Sequence, residues 1–206
     1  MTRRLAAKCI EIGSIGVIAV LGSMNPVFAQ ATVFDIDAAH TSAQFAVKHL
    51  VVSTARGTMG QVSGALQFDQ GDPTKSTVEV MIDVTGIDTR NAKRDEHLRS
   101  PDFLDVAKYP TITFKSKRIE RVAADKFKVT GDLTLKGVTK EVVLDVEGSP
   151  NPIKDPFGNV KLGGVARTKI NRQDFGVTWS KSMDGGGLVV GDDVDITIDI
   201  EVSQRK

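Results

Sequence analysis

Three histidines, His40, His49 and His97, are the side chains of this sequence best suited to metal or proton chemistry. Brought together, their neutral imidazoles could hold zinc or iron for hydrolytic or redox work. Their spacing does not announce such a site. No pair stands at i, i+4, no H-x-H pattern occurs, and the three come from separate segments. Other chemistries lack parts. The only cysteine, Cys9, lies near the start of the chain, and no serine occupies a G-x-S-x-G elbow. Gly185-Gly186-Gly187 is not followed by the Lys-Ser/Thr that completes a phosphate loop. Carboxylates are plentiful, but they fall on the wet faces of the segments that carry them. A metal-dependent enzyme using His40, His49 and His97 therefore stays open as one alternative.

A second group is Arg90, Lys93, Arg94 and Arg99, with Asp95 and His97 among them. It reads either as a solvated face or as a polar lid that meets an anionic or quinone-like headgroup through charge-assisted hydrogen bonds. Arg94 and Asp95 can equally pair with each other.

These residues must be positioned by strands. From Asp125 to Lys136, Phe127, Val129, Gly131, Leu133 and Leu135 share one face, while Lys126, Lys128, Thr130, Asp132, Thr134 and Lys136 share the other. That period of two marks a strand with one buried side. Asp193–Val202, Val78–Val84 and Glu141–Glu147 repeat it, and weaker alternation covers 43–49, 61–68, 110–118 and 161–170. With Thr32–Ile36 this makes about eight or nine strands. Gly137 predicts a tight hairpin between two of them. Thr89–Ser100 has helical spacing, with Asp88 or Thr89 as its cap and Pro101 as its stop. Asn171–Gly176 reads as a helical turn.

A sheet this long with one apolar face must roll up or stack, and no long amphipathic helix offers cover. The expected fold is all-β: an extended eight-stranded antiparallel barrel with one short helical insertion. Eight strands give a barrel either filled by its own side chains or holding one ligand. Aromatics are only 5% of the chain, and the face Leu162, Gly164, Ala166 and Thr168 is small. Composition leaves open both a hollow binder and a packed, stress-related structural or interaction protein.

The chain has 206 residues and a formal net charge of +1. Arg3, Arg4 and Lys8, the apolar run Ile12–Leu21 and Val27-Phe28-Ala29 predict a signal peptide over residues 1–29. Residues 30–206 then form one domain without cysteine, in the periplasm. Charge this balanced leaves no footprint for nucleic acid, and the apolar run is too short for a spanning anchor. A homodimer stays open.

Five ordered motifs now resemble a known family. Asp37-x-x-His40-Thr41 with Phe45-x-Val47-Lys48-His49-Leu50 comes first. Arg94-Asp95-x-His97-Leu98 with Asp102-Phe103 follows, then Tyr109-Pro110-x-Ile112-x-Phe114-x-Ser116. Gly131-x-Leu133-Thr134-x-x-Gly137-Val138-Thr139-Lys140 and Asn171-Arg172-x-Asp174-Phe175-Gly176 complete the order. Together they look like the YceI-like family. The resemblance implies a lipocalin-like barrel whose pore holds a long isoprenoid or similar amphiphile, with no catalytic residues and no other cofactor. It implies pore contacts at Phe45, Val47, His49, Phe114 and Leu133, with Arg94 and His97 near the mouth. Strand phase adds Val80, Ile82, Phe127 and Val129. Met59 and Leu104 stand where the family pattern suggests aromatics.

Overall fold

The computed structural model describes residues 31–182 and 188–206. The predicted leader and residues 183–187 lie outside them. Eleven strands form one antiparallel sheet. Eight of them close into a ring: β11 (Val190–Gln204), β1 (Thr32–Ile36), β4 (Gln61–Phe68), β5 (Thr77–Asp83), β6 (Thr111–Arg121), β7 (Lys126–Leu135), β8 (Val138–Glu147) and β10 (Val160–Asn171). The seam is β10 on β11, in continuous register from Lys161↔Ser203 to Asn171↔Asp193. Closure hides the alternating apolar faces and removes the free edges of those eight strands.

Two further strands extend the sheet beside β11, and alternation revealed only the first of them. β2 (Ser42–His49) continues the direction of β1 after the break at Asp37–Thr41, and β3 (Ser53–Thr58) pairs with β2 alone among the strands. β3 reads Ser-Thr-Ala-Arg-Gly-Thr, with no period of two, so the sequence hid it. The chain returns to the ring at Met59–Gly60. Gly60 has φ +130°, and a Cβ there would stand 1.9 Å from the Asp83 carbonyl oxygen. Only glycine lets the backbone turn this close to β5. Gly60→Ala is expected to lower stability by about 2 kcal/mol or more, read from urea unfolding; a cost below about 0.5 kcal/mol would contradict this account.

The predicted hairpin is present: Lys136 (φ 50°) and Gly137 (φ 75°) form a two-residue turn between Leu135 and Val138. The helix α1 spans Ala92–Arg99. Its cap is Asn91, whose side chain accepts from the Arg94 N–H, and neither Asp88 nor Thr89 fills that place. Asp88 instead accepts from the Arg90 N–H, and Thr89 donates to Asp95. Asn171 caps a 3-10 turn at Arg172–Phe175, as the helical turn predicted there requires.

One end of the ring is plugged. The segment between β5 and β6 folds over it, burying Val84, Ile87 and Phe103 beside Phe175 and Val177. At the opposite end Phe34, Phe68, Leu162 and Val202 form a small separate cluster.

Candidate functional site

The barrel encloses a cavity of about 220 Å³ with an almost wholly apolar lining. Every ring strand contributes. Ile36 comes from β1, Val62 and Leu66 from β4, Val78, Val80 and Ile82 from β5, and Ile112, Phe114 and Ile119 from β6. Phe127, Val129, Leu133 and Leu135 come from β7, Leu144 and Val146 from β8. Leu162, Gly164 and Ala166 of β10 face Ile196, Ile198, Ile200 and Val202 of β11. The small residues of β10 leave the space that a second row of large aliphatics would take. The cavity stops short of the plugged end, since no residue from Val84 to Tyr109 lines it. It reaches the loops at the other end, at Pro73, Ser76 and Gly148–Pro150. Its lining holds no acid, base or thiol; Thr113, Ser76 and Ser149 are its only hydroxyls. Space lined this way stays dry and suits an aliphatic guest.

Six of the anticipated pore contacts line the cavity: Val80, Ile82, Phe114, Phe127, Val129 and Leu133. Five do not. Phe45 borders a separate polar groove on the outside of β2 and β3, with Arg56, Asp88 and Thr89. Val47 and His49 lie farther along β2, where His49 pairs with Val190 at the very start of β11. They keep the inward phase of their strand, and Phe45 packs against the main core cluster, but they lie toward the plugged end, short of which the cavity stops. Arg94 donates from Nε to the Thr89 hydroxyl (2.7 Å) and from Nη2 to the Thr89 carbonyl (2.8 Å). It holds the helix start in place, on the end of the barrel where the cavity is shut. His97 is wedged between Phe103 and Trp179, with ring centroids 4.9 and 5.1 Å away, and its Nε2 lies 3.0 Å from Asp102. Neither stands at a mouth, because the mouth is at the other end. Met59 does line the cavity, at the kink between β3 and β4. Val146, Ile198 and Ile200 line it too; strand phase could have named them with their neighbours.

Comparison with known proteins agrees with this geometry. A model of the YceI-like domain matches residues 34–202, nearly the whole barrel. The chain belongs to the YceI-like family. Protein YceI of Escherichia coli O157:H7 is 38% identical over 174 residues, covering 84% of this chain and 86% of that one. The UPF0312 protein VPA0850 of Vibrio parahaemolyticus is 40% identical over 156 residues, 74% of this chain and 81% of its own. Among solved structures, Campylobacter jejuni YceI superposes with a TM-score of 0.66 at 32% identity, covering 77% and 90% of the two chains. A polyisoprenoid-binding domain from Saccharophagus degradans shares the fold, with a TM-score of 0.61 at 14% identity over 85% and 100%.

The three histidines of this YceI-like barrel lie outside the cavity, in three separate places. His40, His49 and His97 are not gathered. His40 Nδ1 is 2.9 Å from Asp37 beside the β1–β2 break, at the far end of β2 from His49. Asp37, His40 and Glu201 lie close enough to suggest a cation site. That place is taken by the Lys161 ammonium, which bonds Asp37 (3.2 Å) and Glu201. On the helix side, Asp95 is buried. Burial pushes its carboxyl up, but the hydroxyl and N–H of Thr89 and the fields of Arg99 and Arg94 outweigh that, leaving it below the usual range. Arg94 and Asp95 thus share Thr89 and do not pair directly.

The Asp37 cluster has a defined pH window. The bond from His40, then that from Lys161, holds the Asp37 carboxyl down at about 2. Glu201, then Asp37, raises Lys161 above the usual lysine range. A lowered acid stabilises the fold above its unfolded pKa of about 3.9 and loses that contribution as pH falls toward 2. A raised lysine stabilises below about 10.4 and loses that contribution as pH climbs through its folded value. NMR titration should therefore find Asp37 ionised at pH 3, and Lys161→Met should shift its midpoint upward. An Asp37 midpoint near 3.9 in the parent protein would refute the cluster's geometry.

Proposed function

We propose that this protein binds a long-chain apolar lipid of isoprenoid, polyprenyl or quinone type inside the barrel, and that it is a binder or carrier with no catalytic step. The observation that carries this reading is the lining: a cavity built from every ring strand, almost wholly of carbon, with no titratable side chain to serve as acid, base or nucleophile. Each buried CH₂ contributes about 0.8 kcal/mol, so one five-carbon isoprene unit contributes roughly 4 kcal/mol before ordering costs. A long chain can bind tightly on such terms with no specific polar contact. The polyisoprenoid-binding domain of Saccharophagus degradans, built on the same fold, supports this choice of ligand class. The basic-apolar N-terminal segment supports a periplasmic site of action after cleavage near Ala29. Among the described residues no helix is long and apolar enough to cross a membrane.

Protein purified from its own host, denatured and extracted into organic solvent, should release an isoprenoid lipid in near-stoichiometric amount by mass spectrometry. Extracts without lipid, together with no uptake of a quinone or polyprenyl phosphate by the purified protein, would refute the proposal.

A further inference from the structure

The cavity reaches the end of the barrel that carries the β6–β7 turn and the β8–β10 loop, and these loops expose apolar side chains with no part in the fold. Val122 is 59% exposed, Ile153 66% and Phe157 88%. They are presented by ordered turns. Asp155 accepts from the N–H groups of Phe157 and Asn159 and from the Asn159 amide, which fixes the turn with Phe157 at its tip. Arg121 donates to the carbonyls of Ala123 and Ala124, which fixes the turn beside Val122. The Gly148 N–H donates to the Asp125 carbonyl and ties the two loops together, directly beside Gly148–Pro150 of the cavity lining. Arg121, Lys126 and Lys154 stand on the same loops with the acids Asp125 and Asp155.

We propose that this end of the barrel docks on a lipid bilayer, with Val122, Ile153 and Phe157 entering the interface and the lysines meeting anionic headgroups. This rests on the lipid-binding reading above. A guest with a long apolar tail resides in membranes, and crossing water alone would cost it the burial that the cavity provides. An opening flanked by apolar tips lets the tail pass from bilayer to barrel without that exposure. The plugged end also exposes apolar side chains, Leu50, Val51 and Val52 at the β2–β3 turn, but the cavity does not reach it.

The test compares two donors of one probe, dansyl-labelled geranylgeraniol: vesicles of phosphatidylethanolamine and phosphatidylglycerol, and detergent micelles. The parent chain is compared with the combined variant Val122→Ser, Ile153→Ser and Phe157→Ser. Both carry the same N-terminal segment, so whatever it adds is common to them. The variant should load about ten-fold more slowly from vesicles and within two-fold of the parent from micelles. Equal vesicle rates would overturn the proposal and assign the patch to a protein partner. An equal slowing from both donors would also overturn it, because the residues would then act on the cavity. No uptake by the parent from either donor would refute the lipid-binding reading itself, and the docking with it.

Discussion

Val129→Trp should cut the affinity for an isoprenoid probe by more than ten-fold while leaving the barrel folded. Val129 sits mid-strand on β7, paired with Ile119 and Leu144, and all three face the cavity. An indole at this point projects into the 220 Å³ space that the guest needs. If it displaces only two or three methylenes of the guest, the loss is about 1.6–2.4 kcal/mol at 0.8 per CH₂. That is a ten- to fifty-fold change in dissociation constant. The stability cost separates a hollow barrel from a packed one. Overpacking a solid core costs about 1–3 kcal/mol, whereas an indole entering empty apolar space recovers burial and costs less. Val143→Trp is the control, since Val143 is the outward neighbour on β8 and is exposed. It should leave both binding and melting unchanged. Unaltered probe affinity in the Val129→Trp protein would show that the guest does not occupy this space.

What made Val129 legible is the pleat. A ring strand has to send alternate side chains inward, so phase alone placed Val80, Ile82, Phe127, Val129 and Leu133 around one space. The same rule misled at Phe45, Val47 and His49. They keep phase with Ala43, which is buried in the core, but they lie toward the plugged end, and alternation along a strand says nothing about which end of the ring is filled. β3 escaped because its pairing is backbone hydrogen bonding with almost no apolar face. The turn before it escaped because Leu50 and Val51 take positive φ, at 52° and 63°, without the Asn or Gly that usually signals it. Helix α1 stops before Pro101 as expected, but it starts after an Asn91 cap and sits at the end of the barrel opposite the mouth. Its charges were readable as a lid over a mouth, but which end stays open depends on where Phe103, Phe175 and Val177 pack, and these residues meet only through the closed topology.

Arg172 carries the second large prediction, because a single guanidinium ties two passing segments, 177–179 and 190–192, to its own turn. It is only 4% exposed. Nε donates to the Gly191 carbonyl (2.9 Å), and Nη1 donates to those of Val177 (2.6 Å) and Trp179 (2.8 Å). Nη2 reaches the Val190 carbonyl (3.4 Å) and Asp192 (2.9 Å). The fork of donors fits the site in a way that one ammonium cannot. Arg172→Met strands a part-buried carboxylate and several carbonyls, and should cost about 3–5 kcal/mol, roughly 10 °C of melting temperature. Arg172→Lys should recover only part of that. Asp192→Asn, which keeps the guanidinium on its carbonyls, should cost only about 1 kcal/mol. The lone tryptophan supplies a local readout, since Trp179 is the residue whose carbonyl Arg172 grips and whose ring packs on Phe103 and His97. In Arg172→Met its emission should shift red below the global transition, as the segment loosens before the ring opens. Melting within 2 °C of the parent, with unchanged emission, would mean that the strands around Arg172 hold their places without it, and that the plugged end is secured by apolar packing alone.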